Sequence, residues 1–392
     1  MAGQLIKRGD NYTIRVFTGR DRAGRRRYIN KTFKGNKKAA QEELTSMLHA
    51  QDLGTLIEPT KVTLGEYLDE WLRTAATPRV RARTLDGYKY LVEKYIKPDS
   101  GDIRLHKVRP LDIQKLYTAL LAKGLSPTTV RHVHRVLRAS LNQAVKWRLL
   151  PVNPVLAADL PKQRKKEMKA FSADEASVFL EHATDDRWGV LFAVALTTGM
   201  RPGEYLGLKW QDVDLDKGTV VVRRTMVAKP KGGWEFAEPK TAQSARTIPL
   251  PPTVTRALAE NKKAQAAERL KTGPKYTNHD LVFATKTGEP VSQPNLVNRH
   301  FKTILASAGL SPNYRLYDLR HSCATLLLAQ GEHPKIVSER LGHASVTLTL
   351  DTYSHVLPTM QQQAADRLEG VLFGRKGNSS RSSGGGGNHA RD

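Results

Sequence analysis

Leu196-Thr-Thr-Gly-Met-Arg-Pro-Gly-Glu204 decides how the rest of the chain is read. It ends an apolar run, Val190 to Leu196, and sets Arg201 three residues ahead of Glu204. A guanidinium presents a rigid donor fork that matches two phosphate oxygens, and Glu204 is spaced to orient a neighbouring arginine rather than to attack anything. In isolation the string also suits a helix-to-helix turn with a surface salt bridge. Four further stretches change its weight: Pro239-Lys-Thr241, Tyr317-Asp-Leu-Arg-His321, Leu341-Gly-His343 and Asp351-Thr-Tyr-Ser-His355. Arg201, Lys240, Arg320, His343 and Tyr353 are what attack on a DNA phosphodiester needs when no metal is used. The arginines neutralise the doubly charged phosphorane, the lysine protonates a leaving oxygen, and the tyrosine oxygen becomes the covalent link. On chemistry alone Lys229, Lys231 and Arg246 compete with Lys240, and eleven other tyrosines compete with Tyr353.

The charge balance points to the class of partner. Sixty-three Lys plus Arg against thirty-eight Asp plus Glu leave a formal +25. Such an excess suits a polyanion, whose bound counterions are released when basic side chains take their place. A generally basic soluble protein or a membrane-surface binder would share the charge, but no amphipathic anchor or lipidation motif accompanies it. Cys323 is the only cysteine, so no internal disulfide forms, and its apolar surroundings suggest a small core residue. Met1 to Arg8 lacks the apolar centre of a signal peptide, and Val190 to Leu196 is too short to span a bilayer. The expectation is a soluble, cytoplasmic, nucleoid-associated protein. There is no Gly-x-x-x-x-Gly-Lys-Ser/Thr loop and no Cys/His cluster with metal spacing, so neither cofactor nor metal is expected.

Three segments of different character follow one another. Tyr12 to Phe17 and Arg27 to Phe33 alternate apolar and polar residues between turns, which predicts a small antiparallel sheet, with a helix from Lys37 to about Ala50. Residues 1–40 hold twelve Lys or Arg against two Asp, a density that favours nucleic-acid contact through residues such as Arg25, Arg26 and Arg27. From Val62 to Val155 the pattern is helical. Thr63 to Glu66 has capping-box spacing, further helices are expected over Thr84–Tyr95 and Leu111–Ala122, and Ser126-Pro127 opens the clearest helix. On that helix Val130, Val133, Leu137, Leu141 and Val145 form a core stripe, while Arg131, Arg135 and Arg138 fall on another face suited to a DNA groove or backbone. After a basic connector, Pro161 to Lys169, a helix–strand–helix pattern begins with a second capping box, Ser172 to Glu175. Strands are expected over Thr219–Thr225 and Ala245–Leu250, around a Gly-rich hairpin, and the tail from Gly374 should be disordered.

Order, spacing and flanks of the five site residues closely resemble the tyrosine recombinase (phage integrase) family over about 171–372. The resemblance is weaker over 62–155, and residues 1–55 resemble the arm-site-binding domains found ahead of many phage and conjugative-element integrases. It implies a multidomain, mainly α fold with small β-sheets. The parts would be a β-rich arm-binding domain (1–56, a three-stranded sheet plus helix), a helical core-binding domain (62–155), a linker (156–170), a mixed α+β catalytic domain (171–373) and a tail (374–392). The family pattern selects Lys240, makes His343 a phosphate ligand that donates from a ring nitrogen, or the base if Tyr317 cannot serve, and makes Tyr353 the nucleophile. At one point the chain departs from it. The family has His-x-x-Arg, whereas here Tyr317 stands three residues before Arg320 as the matching catalytic candidate; a phenol is a poor base at neutral pH but can still hydrogen-bond a phosphate oxygen. His321, one residue further along the helix, should point about 100° away from Arg320.

The resemblance implies a site-specific recombinase acting through a 3′-phosphotyrosine and a free 5′ hydroxyl. It also implies double-stranded core and arm DNA sites, a homo-tetramer on DNA and accessory directionality or DNA-bending proteins. The C-terminal helix, with Met360, Ala364, Leu368 and Leu372 at helical spacing, would dock on a neighbouring protomer. A type IB topoisomerase and a non-catalytic DNA-binding regulator derived from an integrase are the alternatives.

Overall fold

Alternation of apolar and polar residues builds the first elements. Strands β1 (Gly3–Arg8), β2 (Asn11–Arg20) and β3 (Arg26–Lys34) pair antiparallel in that order, with Val16 opposite Ile29 and Ile14 opposite Leu5. Their inner face, Ile14, Val16 and Ile29, closes on Leu44 and Met47 of α1 (Lys37–Asp52). The computed structural model describes residues 3–21, 23–52, 56, 60–163, 168–229, 232–238, 245–353 and 357–373, and the chain divides near residue 165 into two units.

The first unit continues with α2 (Leu64–Trp71), α3 (Ala82–Leu91), α4 (Lys97–Ser100), α5 (Pro110–Ala122) and α6 (Pro127–Lys146). Thr63 and Glu66 form the expected capping box: the Glu66 N–H donates to Thr63 Oγ1 at 3.2 Å and the Thr63 N–H to the Glu66 carboxylate at 2.8 Å. Ser126 caps α6, and Val130, Val133, Leu137 and Leu141 of its apolar stripe are buried in the helical core. This core also contains a polar pair, the Tyr117 hydroxyl 2.9 Å from Nδ1 of the buried His134.

In the second unit, α7 (Ala173–Ala183) starts at the Ser172–Glu175 capping box. Helix α8 (Gly189–Thr198) is apolar nearly all round and runs through the core, as such helices do. After α9 (Pro202–Leu206), strands β4 (Val213–Asp214), β5 (Thr219–Val222) and β8 (Arg246–Pro249) form one sheet, while β6 (Thr225–Ala228) and β7 (Trp234–Ala237) form a separate hairpin. The single strand expected over Thr219–Thr225 is therefore two. Buried Asp212 draws in the Arg224 guanidinium and lies 3.8 Å from Arg223, so the chain leaves the first sheet at these two residues.

The helices that follow are α10 (Pro252–Thr272), α11 (Gln293–Asn295), α12 (Lys302–Ser307), α13 (Asp318–Ala329), α14 (Pro334–Leu341), α15 (Val346–Tyr353) and α16 (Leu357–Phe373). On α16, Leu368 and Leu372 are exposed; the side chains of Met360 and Ala364, like the tail from Gly374, lie outside the described residues. Among the described residues no helix is long and apolar enough to cross a membrane.

Candidate active site

Gly199 ends α8 in the left-handed region (φ 65°) and turns the chain toward Arg201. A side chain has no room there, since a Cβ would lie 2.5 Å from Leu341 and 3.3 Å from Cys323 Sγ. Pro202 starts α9, and Glu204 closes back on Arg201, accepting from its backbone N–H at 2.9 Å and from Nη1 at 2.7 Å. The same carboxylate accepts from Arg246 Nη2 at 3.0 Å. Burial alone would raise this carboxyl, but Arg246 and Arg201 outweigh it and hold Glu204 below the usual carboxylate range. Arg246, at the start of β8, also donates from Nε to the Arg340 carbonyl at 2.6 Å, which ties the strand to the end of α14.

Arg320 is the third residue of α13 and only 2% exposed. Its Nη1 donates to the Gly199 carbonyl at 2.7 Å, whereas buried Nη2 has no hydrogen-bond partner among the described residues. Burial, and then the charge of Arg201, pulls its pKa down to about 10. Gly342 caps α14 and hands the chain to His343, whose Nδ1 lies 2.7 Å from Thr349 Oγ1. With the hydroxyl donating to Nδ1, the neutral ring carries its proton on Nε2. Burial, followed by Arg320, Arg201 and Arg246, pushes this imidazole down to about 4, so it is uncharged at neutral pH.

Tyr353 closes α15 inside an apolar cluster with Ala324, Leu328, Val337 and Leu341, and is 1% exposed. Burial pushes its phenol up, opposed by the nearby Arg320 charge. Its hydroxyl stands 3.0 Å from His321 Nδ1. Tyr317 precedes α13 and turns its ring edge toward His321, with centroids 5.1 Å apart. The fold thus gathers Arg201, Glu204, Arg320, His343, Tyr317 and Tyr353; Lys240 lies outside the described residues. In the first unit, Arg25, Arg26 and Arg27 are exposed at the start of β3, with Arg25 paired to Asp21 at 3.1 Å. Arg135 and Arg138 are exposed on α6, while the half-buried Arg131 donates to the Pro161 carbonyl at 3.0 Å.

Residues 166–360 match the phage integrase family, and residues 63–121 match the phage integrase N-terminal SAM-like domain. A tyrosine recombinase XerC-like protein of Caldanaerobacter subterraneus subsp. tengcongensis is 31% identical over 94% of this chain and 98% of its own length. The chain belongs to the phage integrase family. It is a tyrosine recombinase, an enzyme that breaks and rejoins DNA. The ICEBs1 integrase of Bacillus subtilis is 30% identical to it over 72% of this chain and 77% of that one. The Tn1549 transposon integrase, solved in complex with a circular intermediate DNA, shares the fold with a TM-score of 0.67 at 20% identity, covering 78% of this chain and 99% of that one. A lambda integrase tetramer bound to a Holliday junction gives 0.55 at 21% identity, over 89% and 94%.

Two residues of the recombinase site were not assigned to it from sequence. Arg246 was only a rival to Lys240, yet its guanidinium lies inside the site against Glu204. His321, one residue beyond Arg320, points away from it as the helix dictates; the same rotation turns it onto Tyr353, which approaches α13 from another side. Both His321 and His343 are less basic in the folded recombinase than the ordinary value near 6.5, chiefly through burial. The unfolded chain therefore takes up protons that the folded one refuses, and stability is lost as pH falls from about 6.5 toward about 4. Melting temperatures across that window should drop, and His343→Asn should flatten the fall; an unchanged slope in the variant would remove His343 as its source.

Proposed function

We propose that Tyr353 attacks a DNA phosphate held by Arg201, Arg320 and His343, giving a 3′-phosphotyrosine and a free 5′ hydroxyl. Lys240 protonates the leaving 5′ oxygen, and a 5′ hydroxyl from a partner duplex reverses the step on a new strand. The ester energy stays in the covalent link. Above all, the buried Arg320 Nη2 supports this assignment: a guanidinium shut away from water, with one nitrogen unpaired among the described residues and Arg201 close by, is suited to an anion. Glu204 orients Arg201 and does not touch substrate.

The DNA sites are the attachment core and arm sequences of a mobile element or phage genome, met by residues 62–155 and 1–56 ahead of the catalytic residues 171–373. The chain works in the bacterial cytoplasm, on the nucleoid, as a tetramer on two duplexes. Exposed Leu368, Val371, Leu372 and Phe373 on α16 suit contact with a neighbouring protomer, and directionality or DNA-bending factors complete the assembly. A suicide duplex carrying the element's own attachment site tests the chemistry, with a Holliday junction as the second substrate. A covalent adduct together with junction resolution is expected. Supercoil relaxation without resolution would indicate a topoisomerase, and tight binding without an adduct a non-catalytic regulator.

Arg135 and Arg138 give a separate check of the first unit. Replacing both with Gln should weaken core-site binding and reduce the salt slope of log K by about two, one phosphate contact for each charge. An unchanged slope in fluorescence-anisotropy titrations would place the DNA elsewhere.

A further inference from the structure

The usual histidine of His-x-x-Arg is Tyr317 here, which leaves open what removes the proton from the attacking phenol. Given Tyr353 as nucleophile, on which the inference rests, we propose that His321 Nδ1 takes the phenolic proton, and that the Tyr317 ring holds the His321 imidazole in place. As the Tyr353 oxygen bonds to phosphorus, the proton passes to Nδ1 and the P–O5′ bond breaks. The leaving oxygen then takes a different proton, from Lys240. In the reverse step the incoming 5′ hydroxyl gives its proton to Lys240 as its oxygen bonds to phosphorus, and His321 returns its proton to the departing Tyr353 oxygen, so no charge or proton is left over.

The geometry carries this assignment. Nδ1 is already 3.0 Å from the hydroxyl, within the reach that general-base transfer requires. Among the described residues, the other acceptors nearby are committed elsewhere. Asp318 is buried and takes the Arg315 backbone N–H at 2.8 Å and Nη2 at 2.7 Å. His343 Nδ1 is engaged by Thr349, and Glu204 sits between two guanidinium groups. The groups that bear on the His321 ring are Asp318, Arg315 and Arg320 on and beside α13, with Tyr353 from α15, and its charge is felt by His343. Burial keeps this imidazole neutral near pH 7, and in the tautomer protonated on Nε2 the Nδ1 lone pair meets the Tyr353 hydroxyl, while burial of Tyr353 makes unaided ionisation harder. Tyr317 approaches edge-on at 63°, a favourable aromatic geometry that fixes ring orientation without lending a proton.

Single-turnover cleavage of the suicide duplex by the full chain, from about pH 5 to 10, tests the assignment. Wild type should reach a plateau above about pH 6.5. His321→Ala should be slower by about 10²- to 10³-fold at neutral pH, rise steadily with pH without that plateau, and recover in part with added imidazole. A duplex with sulfur in place of the 5′ bridging oxygen needs no proton on its leaving group. It should rescue Lys240→Ala but not His321→Ala. Tyr317→Ala should lose about tenfold, and Tyr317→Phe, which keeps the ring, much less.

His321→Ala with a wild-type rate, or with the wild-type plateau merely scaled down, would overturn the proposal. A loss of rate matched by an equal loss of DNA affinity would do the same. If Tyr317→Phe fell as far as Tyr317→Ala, the hydroxyl rather than the ring would be at work and the positioning role would fall. Wild type giving no adduct that depends on Tyr353 would sink the nucleophile assignment instead, so the two failures are separate.

Discussion

Tyr353→Phe should form no covalent adduct on the suicide duplex, a loss on the order of 10⁶-fold in cleavage, while binding that duplex as wild type does. The ring keeps its place among Ala324, Leu328, Val337 and Leu341, so the apolar cluster survives. Only the hydroxyl facing His321 is lost, at a cost of about 1 kcal/mol in stability. Denaturing electrophoresis of trapped complexes reads the result directly. An adduct that persists in the variant would move the nucleophile to another residue.

Glu204→Ala should be the most damaging change to the fold around the site. The carboxylate is 4% exposed and is the shared partner of Arg201 and Arg246, with Arg320 close by as a third positive charge. Removing it leaves like charges together with little water to screen them, for a loss of about 3–5 kcal/mol. Cleavage should fall as well, because Arg201 loses the group that orients it. Glu204→Gln keeps the shape and one acceptor and should be milder. Urea unfolding gives the comparison, and a midpoint for Glu204→Ala at the wild-type value would show that the arginines do not depend on this carboxylate.

The legible parts of the chain were those in which a local pattern carries its own physics. Thr63–Glu66 and Ser172–Glu175 cap their helices as their spacing implies, and the alternating strands around Ile14 and Ile29 pair as expected. Arg201 and Glu204 were legible for the same reason, being joined across one turn. What sequence did not disclose depends on approach from far along the chain. Nothing local says that Tyr353 comes to α13 on the side facing His321, or that Arg246 leans across to Glu204 instead of facing solvent. Thr219–Thr225 divides into two strands at Arg223 and Arg224, where Arg224 pairs with the buried Asp212 carboxylate, a partner that the β-branched run itself does not register.

Tyr353 is the last of the site residues in the chain, about 150 residues after Arg201. At ordinary rates of synthesis the ribosome takes on the order of ten seconds to cover that distance. For most of that interval the nascent chain has Arg201 without Arg320, and throughout it lacks Tyr353, the nucleophile proposed above. A premature stop codon, or a protease cut before α15, would leave a product without the oxygen proposed to attack DNA. On the proposed mechanism, the order of the residues would keep unfinished or damaged copies from cutting DNA.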